Sequence, residues 1–272
     1  AGGNLVATDL LAGSFIDLLR NRSAAIRAGA TSMNGLVGNI AIPKQTGAAT
    51  SYWVAESGAP TESQQTLGQV TMTPKTVGAY TDFSRRLMLQ SSIDVENMVR
   101  NDLALVIALA IDKAAFYGTG ADNQPTGLKL QSGINTVDPV AAVPTFAEIV
   151  AMESAVAADN ADIGNMAYVI NAAMRGSLKS ALKFSAAGSD TIFEPGNTVN
   201  GYRTEVSNQI AANDLFFGNF ADLMIGFWSG LDLMVDPYSN STSGTVRVVA
   251  LQDVDIAVRN AVSFCYANTA IV

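Results

Sequence analysis

The sequence predicts an α+β fold, and three stretches carry that prediction. A helical period runs from Ser91 to Tyr117, two β-prone runs flank a breaker-rich centre between Gln45 and Tyr80, and helical and strand patterns mix between about residues 135 and 240.

The helix is the best specified element. Val95, Met98, Val99, Leu103, Val106, Ile107, Ala110 and Ala114 recur at i, i+3, i+4 and i+7, the spacing of one buried stripe, while Glu96, Asn97, Arg100, Asn101, Asp112 and Lys113 fall on the other face. Ser91 or Ser92 can cap its first turn, where Asp94 and Glu96 also suit the positive end of the helix dipole. Gly118-Thr119-Gly120, followed by Asp122, Asn123 and Pro125, ends it. A helix over about 92–117 is a rod roughly 37 Å long, enough to act as the spine of a domain.

Composition narrows the function. With 49% hydrophobic residues in 272, the chain can bury a large core, and no apolar run approaches the ~20 residues that span a bilayer. There is no histidine, which removes the commonest general base and metal ligand. Cys265, alone of its kind, sits in the strand-like Val262-Ser263-Phe264-Cys265-Tyr266 and reads as core. The net charge of −8 is local: residues 131–240 hold 12 Asp/Glu against 4 Lys/Arg, and the remaining 12 and 12 cancel. That predicts a solvated acidic face and no phosphate-binding surface there.

In chain order, Thr8-Asp9 starts a short helix over Leu10 to Leu19, and Arg20, Arg22 and Arg27 either meet an anionic partner or solvate its end. Asn39 to Pro43 alternates as a strand. Gln45 to Tyr80 holds only three charges, Glu56, Glu62 and Lys75, with β-prone runs at Thr50 to Ala55 and Gln69 to Thr73, and reads as a long hairpin. Two strands with so few apolar residues cannot bury a core of their own. Trp53 and Met72 therefore need a covering surface, in the same chain or in a neighbouring subunit. Arg85-Arg86 lead into the spine helix. Beyond it come a strand near Leu128 to Leu130, a helix from Pro144-Thr145 to Ala157, a strand at Met166 to Ile170, a helix to about Lys183, a loop over Ser185 to Val199, and a β-rich remainder.

Candidate chemistry is sparse. Gly118-Thr119-Gly120 follows a helix, whereas a phosphate loop precedes one. Asp159, Asn160 and Asp162 lack the ligand spacing of a calcium loop. Ser177-Leu178-Lys179 reads as a solvated helix face more simply than as a Ser-Lys pair. Paired carboxylates remain open as a hydrolytic device, although nothing brings two acids into one cleft.

The succession of Ile42-Pro43-Lys44, Trp53-Val54-Ala55-Glu56, Gly68 to Lys75, Phe83-Ser84-Arg85, Asp102-Leu103 to Gly120, Pro125-Thr126-Gly127, Phe217-Gly218-Asn219-Phe220 and Val235-Asp236-Pro237-Tyr238 resembles the major capsid proteins of tailed double-stranded DNA bacteriophages. The likeness spans nearly the whole chain. It implies an N-terminal arm (1–27), an extended loop (45–80), a peripheral domain (28–44, 81–134 and 241–265), an axial domain (135–240) and a C-terminal tail (266–272). It further implies pentamers and hexamers in an icosahedral shell around a genome packaged without sequence-specific binding, with a portal protein, a possible cement protein and no membrane. Such a shell assembles in the host bacterial cytoplasm, and a chain opening at Ala1 fits a processed, mature form. No enzyme activity, cofactor or metal is expected. Intersubunit contacts are expected at Tyr52, Trp53, Glu56, Glu62, Met72, Lys75, Arg85 and Arg86. Relatives that crosslink join a loop lysine to an asparagine beside a carboxylate, whereas here Lys75 and Lys44 stand away from the tip and no acid is evident beside Asn260 or Asn268, so a non-covalent shell is expected. Encapsulins, which share the fold, and a carboxylate-dependent hydrolase are the alternatives.

Overall fold

The computed structural model describes residues 23–59, 61–84, 86, 95–139, 141–185 and 188–269. The helix expected at Thr8 to Leu19, the capping residues Ser91, Ser92 and Asp94, and Arg85 lie outside the described residues, as do the side chains of Val95 and Glu96.

In chain order the elements are α1 (Ala24–Ala28), β1 (Thr31–Asn34), β2 (Ile40–Gly47), β3 (Thr66–Met72), β4 (Lys75–Ser84) and the long helix α2 (Val95–Tyr117). There follow β5 (Asn135–Val137), α3 (Phe146–Ala158), β6 (Met166–Ile170), α4 (Ala172–Ser180), β7 (Phe193–Glu194), β8 (Thr198–Val199) and β9 (Tyr202–Val206). The last are β10 (Asp214–Asn219), β11 (Leu223–Phe227), β12 (Asp232–Asp236), β13 (Thr245–Val258) and β14 (Phe264–Asn268). Helices and strands thus mix as an α+β fold requires. Leu128 to Leu130, expected as a strand, forms a 3-10 turn, and the expected loop at 185–199 includes β7 and β8.

One sheet is centred on β13. Its residues 245–254 pair antiparallel with β4 on one side, while β12 and β11 follow each other along the other side and β1 adds parallel to β11. The second sheet runs β5-β14-β10-β6-β9-β8-β7. Two boundaries differ from the sequence reading. Strands β11 and β12, expected inside a self-sufficient 135–240, complete the β13 sheet, and β14, expected partly as a tail, lies between β5 and β10. Burial explains the second: Phe264, Cys265 and Ala267 are fully buried, so this strand has no solvated side on which to end a chain.

Alternation fills both faces of the second sheet. Ala167, Val169, Phe216 and Tyr266 join the core beneath α2, while Tyr168, Ile170, Leu215, Phe217 and Cys265 point the other way, against Ile149, Met152 and Val156 of α3 and Met174 and Leu178 of α4. Helix α3 opens with the capping box that Thr145 and Glu148 suggest. Helix α2 buries Leu103, Ile107, Ile111, Ala115 and Phe116 against Val248 and Ala250 of β13. The expected stripe is therefore rotated, leaving its members Met98 and Ala110 exposed, because the helix is apolar on more than one side and its period alone does not say which side meets the sheet.

Asp112, expected on the polar face, is buried and caps another helix. Its carboxylate accepts from Ser23 Oγ (2.9 Å), Ala24 N (3.0 Å) and Ala25 N (2.9 Å), holding the five-residue α1, which is too short to persist alone. Several acids of 131–240 are likewise engaged by partners within the chain. Glu205 pairs with Arg27 (3.1 Å), Glu194 pairs with Lys183 (2.5 Å), Glu153 accepts from Tyr168 and Asn200 (both 2.7 Å), and Asp222 accepts from Ser263 (2.6 Å). The solvated acidic face is correspondingly thinner than the charge count implies.

Candidate functional site

The hairpin is placed differently from what its composition suggests. Strands β2 and β3 pair from Ile40 opposite Met72 to Gly47 opposite Thr66, and the β-prone run Thr50 to Ala55 forms no strand. Pro43 does not stop β2, since both members of a two-stranded ribbon are edges where a missing N–H is tolerated. Residues 75–80, expected in the hairpin, belong to β4.

Period-two alternation puts Ile40, Ile42, Val70 and Met72 on one side of the ribbon, where they meet Met224 and Ala257 of the main sheet with Met33 and Trp228. Met72 is completely buried here, so it is a core residue of its own chain and not an intersubunit contact. Lys75 is also committed within the chain: its Nζ lies 2.6 Å from Asp255 Oδ1, while Asp255 Oδ2 accepts from Thr73 N at 2.8 Å. The base of the hairpin is therefore self-covered at Met72, while Lys75 keeps 26% of its side chain exposed beside that ion pair.

The tip is different. Tyr52 and Val54 are about half exposed, and Trp53 is 105% exposed, the value of a side chain that touches nothing around it. The two sides of the loop are tied where Thr50 N donates to Ser63 Oγ (2.9 Å) and Ser63 Oγ donates to Thr50 O (3.1 Å). Gly58 N closes a turn on Ala55 O (2.8 Å), and Glu56 and Glu62 face solvent beside it. Arg86, also exposed, lies on β4's exit and not at this tip. A tryptophan offered to water on a tied, extended loop is what an apolar anchor for another surface looks like.

A buried polar cluster joins the spine helix to the second sheet. Asp214, fully buried at the start of β10, accepts from Tyr117 Oη (2.7 Å), Tyr266 Oη (2.8 Å) and Asn268 Nδ2 (2.7 Å), and Lys129 Nζ lies 3.2 Å away. Burial, reinforced by the Asp214 carboxylate, pushes the Tyr117 phenol well above its usual range. Burial works against the Lys129 charge, but its hydrogen bonds to Tyr266 and Asp214 prevail and raise its pKa. The ammonium also lies 5.0 Å from the Tyr266 ring centroid and 5.6 Å from that of Tyr117. Sequence reasoning missed this cluster because its members are scattered over some 150 residues; no local spacing marks them.

Glycines 118 and 120 have a structural use. Gly127 N donates to Gly118 O (2.8 Å) and Gly120 N to Pro125 O (3.2 Å), folding 118–127 into a tight loop that closes the helix end. Among the described residues, no three His, Cys, Asp or Glu side chains gather into a metal site, and no helix is long and apolar enough to cross a membrane.

Comparison with known proteins agrees with this architecture. The Phage capsid family matches residues 2–269. The chain belongs to the phage capsid family. It is 36% identical, over 99% of its length, to the major capsid protein of Halomonas phage phiHAP-1, of which the match covers 44%, and 29% identical over 48% of its length to that of Klebsiella oxytoca phage phiKO2, of which it covers 31%. The chain thus spans less than half the length of these curated relatives. Among solved structures, the capsid of a native GTA particle superposes with a TM-score of 0.81 at 23% identity, covering 99% of this chain and 97% of that one. The fold is that of tailed-phage capsids, and the family is one of shell proteins, a structural class.

Proposed function

We propose that this chain is the major shell subunit of a tailed double-stranded DNA phage, associating as pentamers and hexamers into an icosahedral capsid in the host cytoplasm. The observation that carries this reading is the family match over residues 2–269, and the exposed loop tip supports it physically. In this reading the β13 sheet with α2 forms the peripheral domain, the second sheet with α3 and α4 forms the axial domain, and 48–65 is the extended loop. The genome is enclosed without base-specific contacts, a portal protein occupies one vertex, a cement protein is an optional partner, and the chain catalyses nothing. The curated relatives are phage capsid proteins, which favours a genome container over an encapsulin compartment. Electron microscopy of the purified, concentrated protein tests the proposal: closed icosahedral particles are expected, and a persistent monomer under all assembly conditions would refute it.

The loop tip supplies a sharper test. Because Trp53 is fully exposed, Trp53→Ala should change the subunit's unfolding free energy by less than about 0.5 kcal/mol. Assembly should fall by far more, since a central aromatic anchor contributes about 2 kcal/mol or more at each interface. Calorimetry of the monomer and light scattering of assembly read the two effects separately.

The shell is also expected to be non-covalent. Lys129, Asp214 and Asn268 form a lysine-carboxylate-asparagine trio that the sequence did not reveal, yet it lies inside one chain, and its lysine is held charged by Tyr266 and Asp214. A charged ammonium has no lone pair with which to attack the amide. Boiled, reduced particles should give one band near 28.4 kDa with the full sequence mass. A ladder would reveal a bond between chains, and a mass short by one ammonia would reveal a bond within the chain.

A further inference from the structure

We propose that Asn34-Gly35 is a site of spontaneous covalent modification, at which the chain loses ammonia and acquires an aspartyl or isoaspartyl residue, while its second Asn-Gly pair, Asn200-Gly201, is held unreactive by the fold. The inference is independent of the shell reading. In the reaction the Gly35 amide nitrogen, its proton taken by water or hydroxide, attacks Cγ of Asn34. A C–N bond forms, the bond from Cγ to Nδ2 breaks, ammonia departs and a five-membered imide remains. Water then opens either imide carbonyl, so the net change is amide plus water to acid plus ammonia, with nothing oxidised or reduced.

Two conditions decide where this reaction runs: an uncrowded nitrogen and a free side chain. Glycine meets the first in both pairs, since a Cβ at Gly35 or Gly201 would meet no atom within 4 Å. The second separates them. Asn34 is the exposed last residue of the edge strand β1, and among the described residues neither its side-chain amide nor the Gly35 N–H has a hydrogen-bond partner. At the other pair Asn200 Nδ2 donates to Glu153 Oε2 (2.7 Å) and Gly201 N donates to Glu194 Oε2 (3.0 Å), so leaving group and nucleophile are both tied to carboxylates. Those two charge-assisted bonds must break before attack begins. The product matters at Asn34 because the strap beyond it is anchored just past the reacting atoms: Leu36 N donates to Phe227 O (3.1 Å), and Trp228 Nε1 donates to Gly38 O (2.6 Å). An isoaspartyl link routes the main chain through Cβ, which lengthens the path between β1 and that strap and places a negative charge at the end of β1. Leu36 then falls out of register with Phe227.

The test ages the full chain at mildly alkaline pH and maps its peptides by mass spectrometry, with isoaspartate read by enzymatic methyl transfer. Conversion at Asn34 should run at least about tenfold faster than at Asn200, whose hydrogen bonds to charged groups must first be lost. In urea the two rates should converge, because only the fold separates the pairs. Asn34→Gln, whose longer side chain closes the larger ring far more slowly, should remove most of the acidic shift that the aged, unaltered chain shows on isoelectric focusing. Converted chains should also exchange the Leu36 amide hydrogen faster than fresh ones. A folded chain that converts at neither pair or at both alike, or an acidic shift undiminished by Asn34→Gln, would overturn the inference. A Leu36 amide equally protected in fresh and converted chains would overturn the effect on the strap.

Discussion

Asp214→Ala is expected to cost about 3–5 kcal/mol of folding stability, because it removes the common acceptor of a buried cluster and leaves Lys129, Tyr117, Tyr266 and Asn268 without it. For a chain of this size that corresponds to a fall in melting temperature on the order of 10 °C. The cost is large because each orphaned donor stays in a poorly solvated place, and the charged one cannot neutralise cheaply. Tyr117→Phe removes one donor and keeps the ring against Phe216, so it should cost only about 1–2 kcal/mol. Thermal unfolding of the two variants separates the cluster from its parts. Equal, small losses would show that Asp214 is not what fastens α2 to the second sheet.

Gly127→Ala is expected to be at least as damaging, about 3 kcal/mol or more, and to reduce soluble yield. A methyl group there would lie 2.4 Å from Gly118 N, 2.6 Å from Tyr117 N and 2.7 Å from the Phe116 carbonyl carbon. All three are backbone atoms at the end of α2, so no side-chain rotation relieves the clash. Gly176→Ala is the control: nothing lies within 4 Å of the added carbon in helix α4, and alanine there should stabilise by up to about 1 kcal/mol. If both substitutions are tolerated alike, the 118–127 loop is not the tight closure that its hydrogen bonds describe.

These residues also show what sequence reasoning can reach. Helix α2, the Thr145 capping box and the buried strand at Met166 to Ile170 were legible, because each announces itself within a few residues through period, cap or unbroken apolarity. What remained hidden depends on partners far away in the chain. Asp112 looks like a surface acid in its own helix and becomes a cap only because α1, 87 residues earlier in sequence, begins on it. Met72 looks like an anchor in want of a neighbour until Met224 and Ala257 are seen to cover it. Leu223 to Phe227 and Leu231 to Val235 read as strands, but they were expected inside 135–240 and pair with β13 instead, since strand propensity carries no address. Of the expected contact residues, Trp53 with its neighbours Tyr52, Glu56 and Glu62 remains on an open surface, for a reason visible in the sequence: the segment has little else with which to bury a tryptophan.

The placing of β13 and β14 has a consequence for synthesis. Both are made after every other strand of their sheets, yet β13 lies between β4 and the β11–β12 edge, and β14 between β5 and β10. A ribosome extruding this chain from its N-terminus therefore releases two sheets in each of which a strand with partners on both sides arrives last, and neither core can close before residue 268 is out. The loop that would grip another copy emerges some 200 residues before the scaffold that aims it is complete. Closure of both sheets is thereby deferred until β14 is made, and a product stalled before it cannot present a closed subunit for others to join.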